Sequence, residues 1–95
     1  MDIKHVEMNG RGAFRAVGED GKSSAELTYV SSGSAGFIID HTEVDEGLRG
    51  QGVGEKLVEA AVDHARSNNL KIHATCPFAI KVLRENAEYR DVYSG

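Results

Sequence analysis

Short stretches in which apolar and polar residues alternate fill the first half of the chain. In residues 23–30, for example, Ala25, Leu27 and Tyr29 fall on one side of an extended segment. Residues 13–17 alternate in the same way and residues 3–8 do so loosely, and residues 37–44 predict a fourth strand. Turns rich in Gly, Asn, Asp and Ser separate them. Strands that follow one another so closely predict an antiparallel meander.

The second half of the chain changes to a helical period. In residues 52–67 the apolar side chains project onto one broad arc, and charged residues occupy the other. The arc contains Val53, Leu57, Val58, Ala60, Ala61, Val62 and Ala65. Asn68-Asn69 then predicts a helix stop, and residues 70–76 predict a fifth strand.

Pro77 predicts the start of a final short helix, which extends to residue 86, because proline is well tolerated at the first helical position. Val92 and Tyr93 in the tail are expected to pack back on the domain. A strand–helix–strand unit normally gives parallel neighbours with a right-handed crossover. The predicted fold class is therefore α/β: a mixed sheet, with an antiparallel N-terminal meander followed by a strand–helix–strand–helix unit.

Composition narrows the class of protein. A chain of 95 residues predicts one domain, residues 1–95, with a modest core. The net charge of −4 and the lack of a basic run argue against nucleic-acid binding. We find neither an apolar stretch long enough to cross a bilayer nor a signal-like start. A lone cysteine cannot form an intramolecular disulfide, so we expect a cytoplasmic protein without membrane or nucleic-acid partners, as a monomer or weak homodimer.

A glycine-rich segment joins the fourth strand to the long helix. Gly47, Gly50, Gly52 and Gly54 fall within eight positions. Such a turn presents backbone N–H groups, and the helix N-terminus adds unpaired donors and the positive end of its dipole. Phosphates are natural ligands of this geometry. The loop fits neither the Walker pattern nor the dinucleotide fingerprint, since Gly54 is followed by Glu55. A turn without a ligand is the alternative interpretation.

Three motifs together resemble one family. Residues 49–54, Arg-Gly-Gln-Gly-Val-Gly, fit Arg/Gln-x-x-Gly-x-Gly/Ala and resemble the acetyl-CoA pyrophosphate loop of the GNAT N-acyltransferase superfamily. Residues 41–44, His-Thr-Glu-Val, and 76–78, Cys-Pro-Phe, complete a series similar to that of its very short members. The resemblance runs over most of the chain and implies a minimal GNAT fold. The chain departs from larger members, which have a pair of helices between the first two strands and further strands after the last helix.

The resemblance also implies which residues bind acetyl-CoA. Main-chain N–H groups of the loop would face the pyrophosphate, and Arg49 or Lys56 would add a charge-assisted contact. The main chain from Thr42 to Val44 would pair with the pantetheine arm. Lys81 is a candidate for the remaining phosphate, with a solvated surface lysine as the alternative. The predicted binding residues are Thr42, Val44, Arg49, Gly50, Gln51, Gly52, Val53, Gly54 and Lys81.

Cys76 is a candidate catalytic residue. Pro77 at the first helical position would put Cys76 at the helix N-cap, where unpaired N–H groups and the dipole favour the thiolate. The family has the thioester at the end of this strand. The thiolate could accept the acetyl group, or the thiol could act as a general acid to the departing CoA sulfur. The alternative is a small buried apolar residue, since Cys76 shares strand parity with Ile72 and Ala74.

His41 and Glu43 are candidate bases. They lie two residues apart on one strand, so their side chains share a face, and either could deprotonate an incoming ammonium. The alternatives are a solvated Glu43 and a partly buried, hydrogen-bonded His41. His64 falls in the apolar arc of the helix and is interpreted as a packed residue. Four scattered histidines and one cysteine match no ligand spacing, so no metal site is predicted.

These observations predict an acetyl-CoA-dependent N-acetyltransferase that transfers an acetyl group to an amine. Its partners would be a small-molecule acyl-CoA and an amine acceptor. A CoA-binding module without catalytic activity is the alternative, favoured by the missing helices of larger members. A nucleotide or phosphate-binding module unrelated to CoA is a third hypothesis, and it agrees less well with the spacing of the loop.

Overall fold

The structure is a computed structural model that describes residues 2–48 and 50–94. Five strands and two helices follow one another in the predicted order. The strands are β1 (Asp2–Met8), β2 (Arg11–Val17), β3 (Ser23–Ser31), β4 (Gly36–Val44) and β5 (Lys71–Ala74). The helices are α1 (Val53–Ser67), between β4 and β5, and α2 (Pro77–Glu85). In the described ranges no helix has the length and apolar character needed to cross a membrane.

The sheet has the order β1-β2-β3-β4-β5. The first four strands pair antiparallel, and β5 pairs parallel with β4 after the α1 crossover. Gly36 permits the close approach of β4 and β5, because a Cβ atom at this position would lie 2.2 Å from the Lys71 carbonyl oxygen. The mixed α/β sheet expected from the sequence is therefore confirmed.

A single core lies between the sheet and the two helices. Tyr29, Phe37 and Leu27 supply its largest fully buried side chains from the sheet. The predicted apolar arc of α1 is buried, except that Ala60 is only partly buried. The tail also packs back as expected, since Val92 is buried and its carbonyl oxygen accepts a hydrogen bond from the Ile72 N–H at 2.7 Å.

Strand β5 is shorter than the predicted 70–76, and this difference shapes the site. Its pairing with β4 ends at Ile39 and Ala74. The N–H groups of Thr75 and Cys76 both point to the Ile39 carbonyl oxygen, at 2.9 and 3.4 Å. The chain therefore turns away from β4 here, and Pro77 begins α2.

A β-bulge in β4 sets which side chains reach the site. Thr28 pairs with His41, whereas Tyr29 pairs with Ile39, so β4 contains one extra residue at Asp40. Strict alternation from Ile39 would have turned His41 toward the helices. The bulge reverses the parity, because one inserted residue flips all side chains that follow.

Candidate functional site

A cleft of about 920 Å³ opens where β4 and β5 diverge. It lies between the end of β4, the glycine-rich loop, the first turn of α1 and the start of α2. Its lining residues are Thr42, Glu43, Val44, Asp45, Glu46, Leu48, Gly50, Gly52, Val53, Gly54, Glu55 and Phe78. Thus six of the predicted CoA-binding residues line one cavity: Thr42, Val44, Gly50, Gly52, Val53 and Gly54.

The end of β4 turns main-chain groups toward this cleft. The Asp45 N–H donates to the carbonyl oxygen of Ser24, near the start of β3, at 2.8 Å. Because hydrogen-bonding groups alternate between the two edges of a strand, the N–H and C=O of Thr42 point to the other edge, where β5 has already turned away. An extended amide-containing ligand could pair with β4 at this position as an additional strand would.

The loop has the backbone conformation of an anion-binding turn. Gly50 and Gly52 have φ angles of +83° and +77°, in the left-handed region that favours glycine. Gly52 is the N-cap of α1 and has no side chain to satisfy the N–H groups of the first turn. Those groups, which include the N–H groups of Val53 and Gly54, therefore remain suited to an external acceptor.

Two residues of the loop that were predicted to bind CoA, Gln51 and Arg49, are not shown to line the cleft. The Gln51 N–H donates to the Leu48 carbonyl oxygen at 3.3 Å, and its side-chain amide donates to the Gly47 carbonyl oxygen at 3.1 Å. Gln51 thus stabilises the loop from within and is not among the lining residues. The predicted Arg49 contact lies outside the described residues.

Gly54 has a packing function that the motif alone did not indicate. A Cβ atom at this position would lie 2.7 Å from the Phe78 ring, so glycine lets α2 approach α1 closely. Phe78 in turn forms an apolar part of the cleft wall. The Cys-Pro-Phe motif contained this residue, but its contact with position 54 depends on how the helices pack.

The lining is acidic, which the loop motif did not predict. Glu43, Asp45, Glu46 and Glu55 contribute carboxylates, and within the described part of the lining no residue is basic. Glu55 lies next to the loop, since its Oε2 lies 3.7 Å from where a Cβ atom of Gly52 would be. An acidic residue here stabilises the helix N-terminus but repels a phosphate at the same position. The predicted Lys81 and the alternative Lys56 are exposed, outside the lining.

Cys76 lies beside the cleft as the N-cap of α2, with Pro77 at the first helical position, as the sequence predicts. It is 8% exposed. Its thiol contacts the Thr42 hydroxyl, with 3.6 Å between Sγ and Oγ1. Thr42 lines the cleft whereas Cys76 does not, so the thiol lies directly behind the cavity wall.

His41 and Glu43 form a second group, on the opposite side of the sheet. His41 Nε2 lies 3.1 Å from Glu43 Oε1, and the two side chains are 59% and 74% exposed. They project to the sheet face away from the helices, because the bulge assigns Thr42 to the helix side. The structure therefore forms two separate pairs. Thr42 contacts Cys76, and His41 contacts Glu43. Of the second pair, only Glu43 lines the cleft.

Comparison with known proteins identifies relatives of this fold and sequence. A family model described as GCN5-related N-acetyl-transferase matches residues 13–92. Protein NATD1 of Danio rerio is 32% identical over 86 residues, which cover 90% of this chain and 76% of that protein. Protein NATD1 of Xenopus tropicalis is 37% identical over 62 residues, 65% of this chain and 57% of that protein. The match with the Xenopus protein thus spans little more than half of its length.

A solved structure extends the likeness to nearly the whole chain. The solution structure of a GCN5-like protein from Staphylococcus aureus superposes with a TM-score of 0.72 and 41% sequence identity. The superposition covers 97% of this chain and 88% of that one. The comparison of sequences and the comparison of folds therefore point to the same family.

Proposed function

Since this chain belongs to the GCN5-related N-acetyltransferase family, we propose that it transfers an acetyl group from acetyl-CoA to an amine. The observation that carries the proposal is the cleft of about 920 Å³ at the divergence of β4 and β5. It combines an outward-facing main chain at Thr42 with a left-handed glycine turn at the N-terminus of α1.

We assign each part of the cleft to one part of the co-substrate. We assign the N–H groups of Gly52, Val53 and Gly54 to the pyrophosphate, because a helix N-terminus with a glycine cap binds phosphates. The β4 residues from Thr42 to Val44 would hold the pantetheine arm. Gln51 would act by fixing the loop, and Arg49 and Lys81 would contact the outer phosphates with their charges.

Acetyl-CoA, when bound, supplies an acetyl carbonyl activated by its thioester. His41 and Glu43 would accept the proton that the incoming ammonium releases before nitrogen attacks the carbonyl carbon. As the carbon–sulfur bond breaks, the Cys76 thiol would donate its proton to the departing sulfur. In the covalent variant, the Cys76 thiolate attacks first, CoA leaves as the thiolate, and the amine then takes the acetyl group from Cys76.

The first experiment is native mass spectrometry with acetyl-CoA, followed by turnover with a panel of amines. We expect a one-to-one complex and release of free CoA that depends on an added amine. A complex without amine-dependent release would favour the CoA-binding module. The supporting observation for that module is that no helix of the described residues covers the sheet face around His41. If no complex forms, both CoA proposals are wrong.

If His41 and Glu43 are the general bases, their replacement should lower kcat without weakening CoA binding. We expect His41→Gln and Glu43→Gln each to lower kcat by about 10- to 100-fold, since loss of a general base typically costs this much or more. The dissociation constant of CoA should stay within about twofold for His41→Gln, because His41 does not line the cleft. His73→Gln, another exposed histidine on the same sheet face, is the matched control. Equal kcat values for His41→Gln and the control would remove His41 from the mechanism.

The carboxylate beside the loop predicts a variant that binds more tightly. Because Glu55 lies next to the proposed pyrophosphate position, we expect Glu55→Gln to tighten CoA binding by about three- to tenfold, or roughly 0.7–1.4 kcal/mol. Glu59→Gln removes the same formal charge one turn further along α1 and should have little effect. Calorimetry at low and high salt measures both variants. Weaker binding by Glu55→Gln would contradict the assigned position of the pyrophosphate.

A further inference from the structure

A polar cluster lies at the other end of α1 from the cleft, beside the edge strand β1. All residues of β1 are exposed. His5 and Glu7 nevertheless turn to its helix side, and both reach Tyr29. The Tyr29 hydroxyl donates to Glu7 Oε2 at 2.9 Å and lies 2.6 Å from His5 Nε2. Burial and the nearby His64 lower the pKa of His5, although Glu7 acts in the opposite direction.

The sheet register builds this contact. Gly12 of β2 pairs with Glu7 on one side and with Tyr29 on the other. A Cβ atom at Gly12 would lie 2.2 Å from the Tyr29 ring. Without a side chain at position 12, the phenol ring crosses β2 and reaches the edge strand. The position of the Tyr29 hydroxyl is therefore a consequence of the register and of one glycine.

Helix α1 adds a third group from above. The His64 ring lies edge-on to His5, with ring centroids 4.5 Å apart, and His5 stacks on Phe14 at 4.3 Å. One donor atom from each of His5, Glu7 and His64 lies within 4.8 Å of the other two. Two imidazoles and one carboxylate are a donor set of four-coordinate zinc, in which neighbouring donors are about 3.3–3.5 Å apart. His5 and Glu7 are exposed, so their side chains have room to rotate toward a shared ion.

We propose that His5, Glu7 and His64 bind a divalent transition-metal ion of the zinc class, which joins the edge strand to α1. The Tyr29 hydroxyl would then hold the ligating carboxylate by a hydrogen bond, as partners outside the ligand shell commonly do. Gly54 lies ten residues from His64, or roughly 15 Å along the helix, so the ion would not contact a substrate in the cleft. Its function would be structural, since it ties down a strand that is otherwise open at the edge.

The test is a titration of the full chain, freed of metal by a chelator, with Zn²⁺ and with Co²⁺. We expect one bound equivalent, the visible absorption of four-coordinate cobalt, and a Tm that rises with Zn²⁺. Glu7→Gln and His64→Gln should each weaken zinc affinity by about 30-fold or more. Glu7→Gln retains an acceptor for the Tyr29 hydroxyl, so it stays folded and informative even if His64→Gln does not.

Two exposed histidines elsewhere provide the controls. His73→Gln on β5 and His41→Gln on β4 should bind zinc as the unchanged protein does. Circular dichroism without metal verifies that each variant is folded. Absence of saturable binding, unchanged affinity in Glu7→Gln, or loss of binding in His41→Gln would overturn the proposal. None of these measurements involves acetyl-CoA, so the result is independent of the proposed transferase activity.

Discussion

Replacing Gly52 with valine should weaken CoA binding by about 100-fold, or roughly 2.7 kcal/mol, while the protein remains folded. Gly52 has a φ angle of +77° at the N-cap of α1. A β-branched residue disfavours this conformation and would shift the turn. Its side chain would also occupy the space in front of the first N–H groups of the helix. Calorimetric titration with CoA measures the effect.

The Gly52→Val variant should fold because the new side chain causes no close steric contact. Among the described residues, leaving out its two chain neighbours, a Cβ atom at Gly52 has no neighbour closer than the Glu55 carboxylate at 3.7 Å. The expected loss of stability is therefore the conformational cost of a left-handed residue, about 1–2 kcal/mol. Thermal unfolding measures this cost separately from binding.

Gly21 offers a matched control in the β2–β3 turn. Its φ angle is +79°, and a Cβ atom there meets no described residue within 4 Å besides its chain neighbours. Gly21→Val therefore imposes a similar backbone strain far from the cleft. It should lower Tm by a similar amount and leave CoA affinity unchanged. If both variants lost CoA binding equally, the loss would reflect strain in general, and the proposed pyrophosphate site would be wrong.

The elements of the fold could be predicted from the sequence because their signals are local. Alternation within β3 and the apolar arc of α1 each depend on a few consecutive residues, and both agree with the observed burial. The order of the strands followed from the short turns and the crossover helix. A glycine turn between strand and helix likewise located the cleft.

What the sequence did not predict depends on contacts between distant segments. The bulge at Asp40 cannot be predicted from the alternation of apolar and polar residues. With or without the extra residue, the segment after it reads as a strand, and only the face to which its side chains point differs. The packing of Phe78 on Gly54 requires the two helices to be in place. His5 and Glu7 lie on β1, whereas His64 lies on α1, far away in the chain. The spacing of these residues along the sequence therefore does not predict a metal site.

Replacing Cys76 with alanine should lower kcat by about 100-fold and leave the dissociation constant of CoA unchanged. The thiol lies at the N-cap of α2 and contacts Thr42, which lines the cleft. The proposed thiol acts on the departing sulfur or on the acetyl group, and removal of such a group typically costs 10²–10⁴ in rate. Steady-state kinetics with the best amine of the panel measures the effect.

A purely structural Cys76 predicts a different result. Because Cys76 is buried, its replacement removes some packing and lowers Tm whether or not the thiol reacts. Ile72→Val removes one methylene from a fully buried position in the adjacent strand, at an expected cost of about 0.5–1.5 kcal/mol. It should lower Tm with kcat preserved. Equal kcat values for Cys76→Ala and Ile72→Val would show that Cys76 has no catalytic function and is an ordinary apolar core residue.

Denaturing mass spectrometry then separates the two chemical roles of the thiol. If Cys76 accepts the acetyl group, mixing with acetyl-CoA in the absence of amine leaves one acetyl mass on the unchanged protein and none on Cys76→Ala. If Cys76 only donates a proton, neither protein gains mass, but the drop in kcat remains. The position of the thiol favours the proton donor, because Sγ faces the Thr42 hydroxyl at 3.6 Å and is largely buried. We therefore expect the drop in kcat without a covalent adduct.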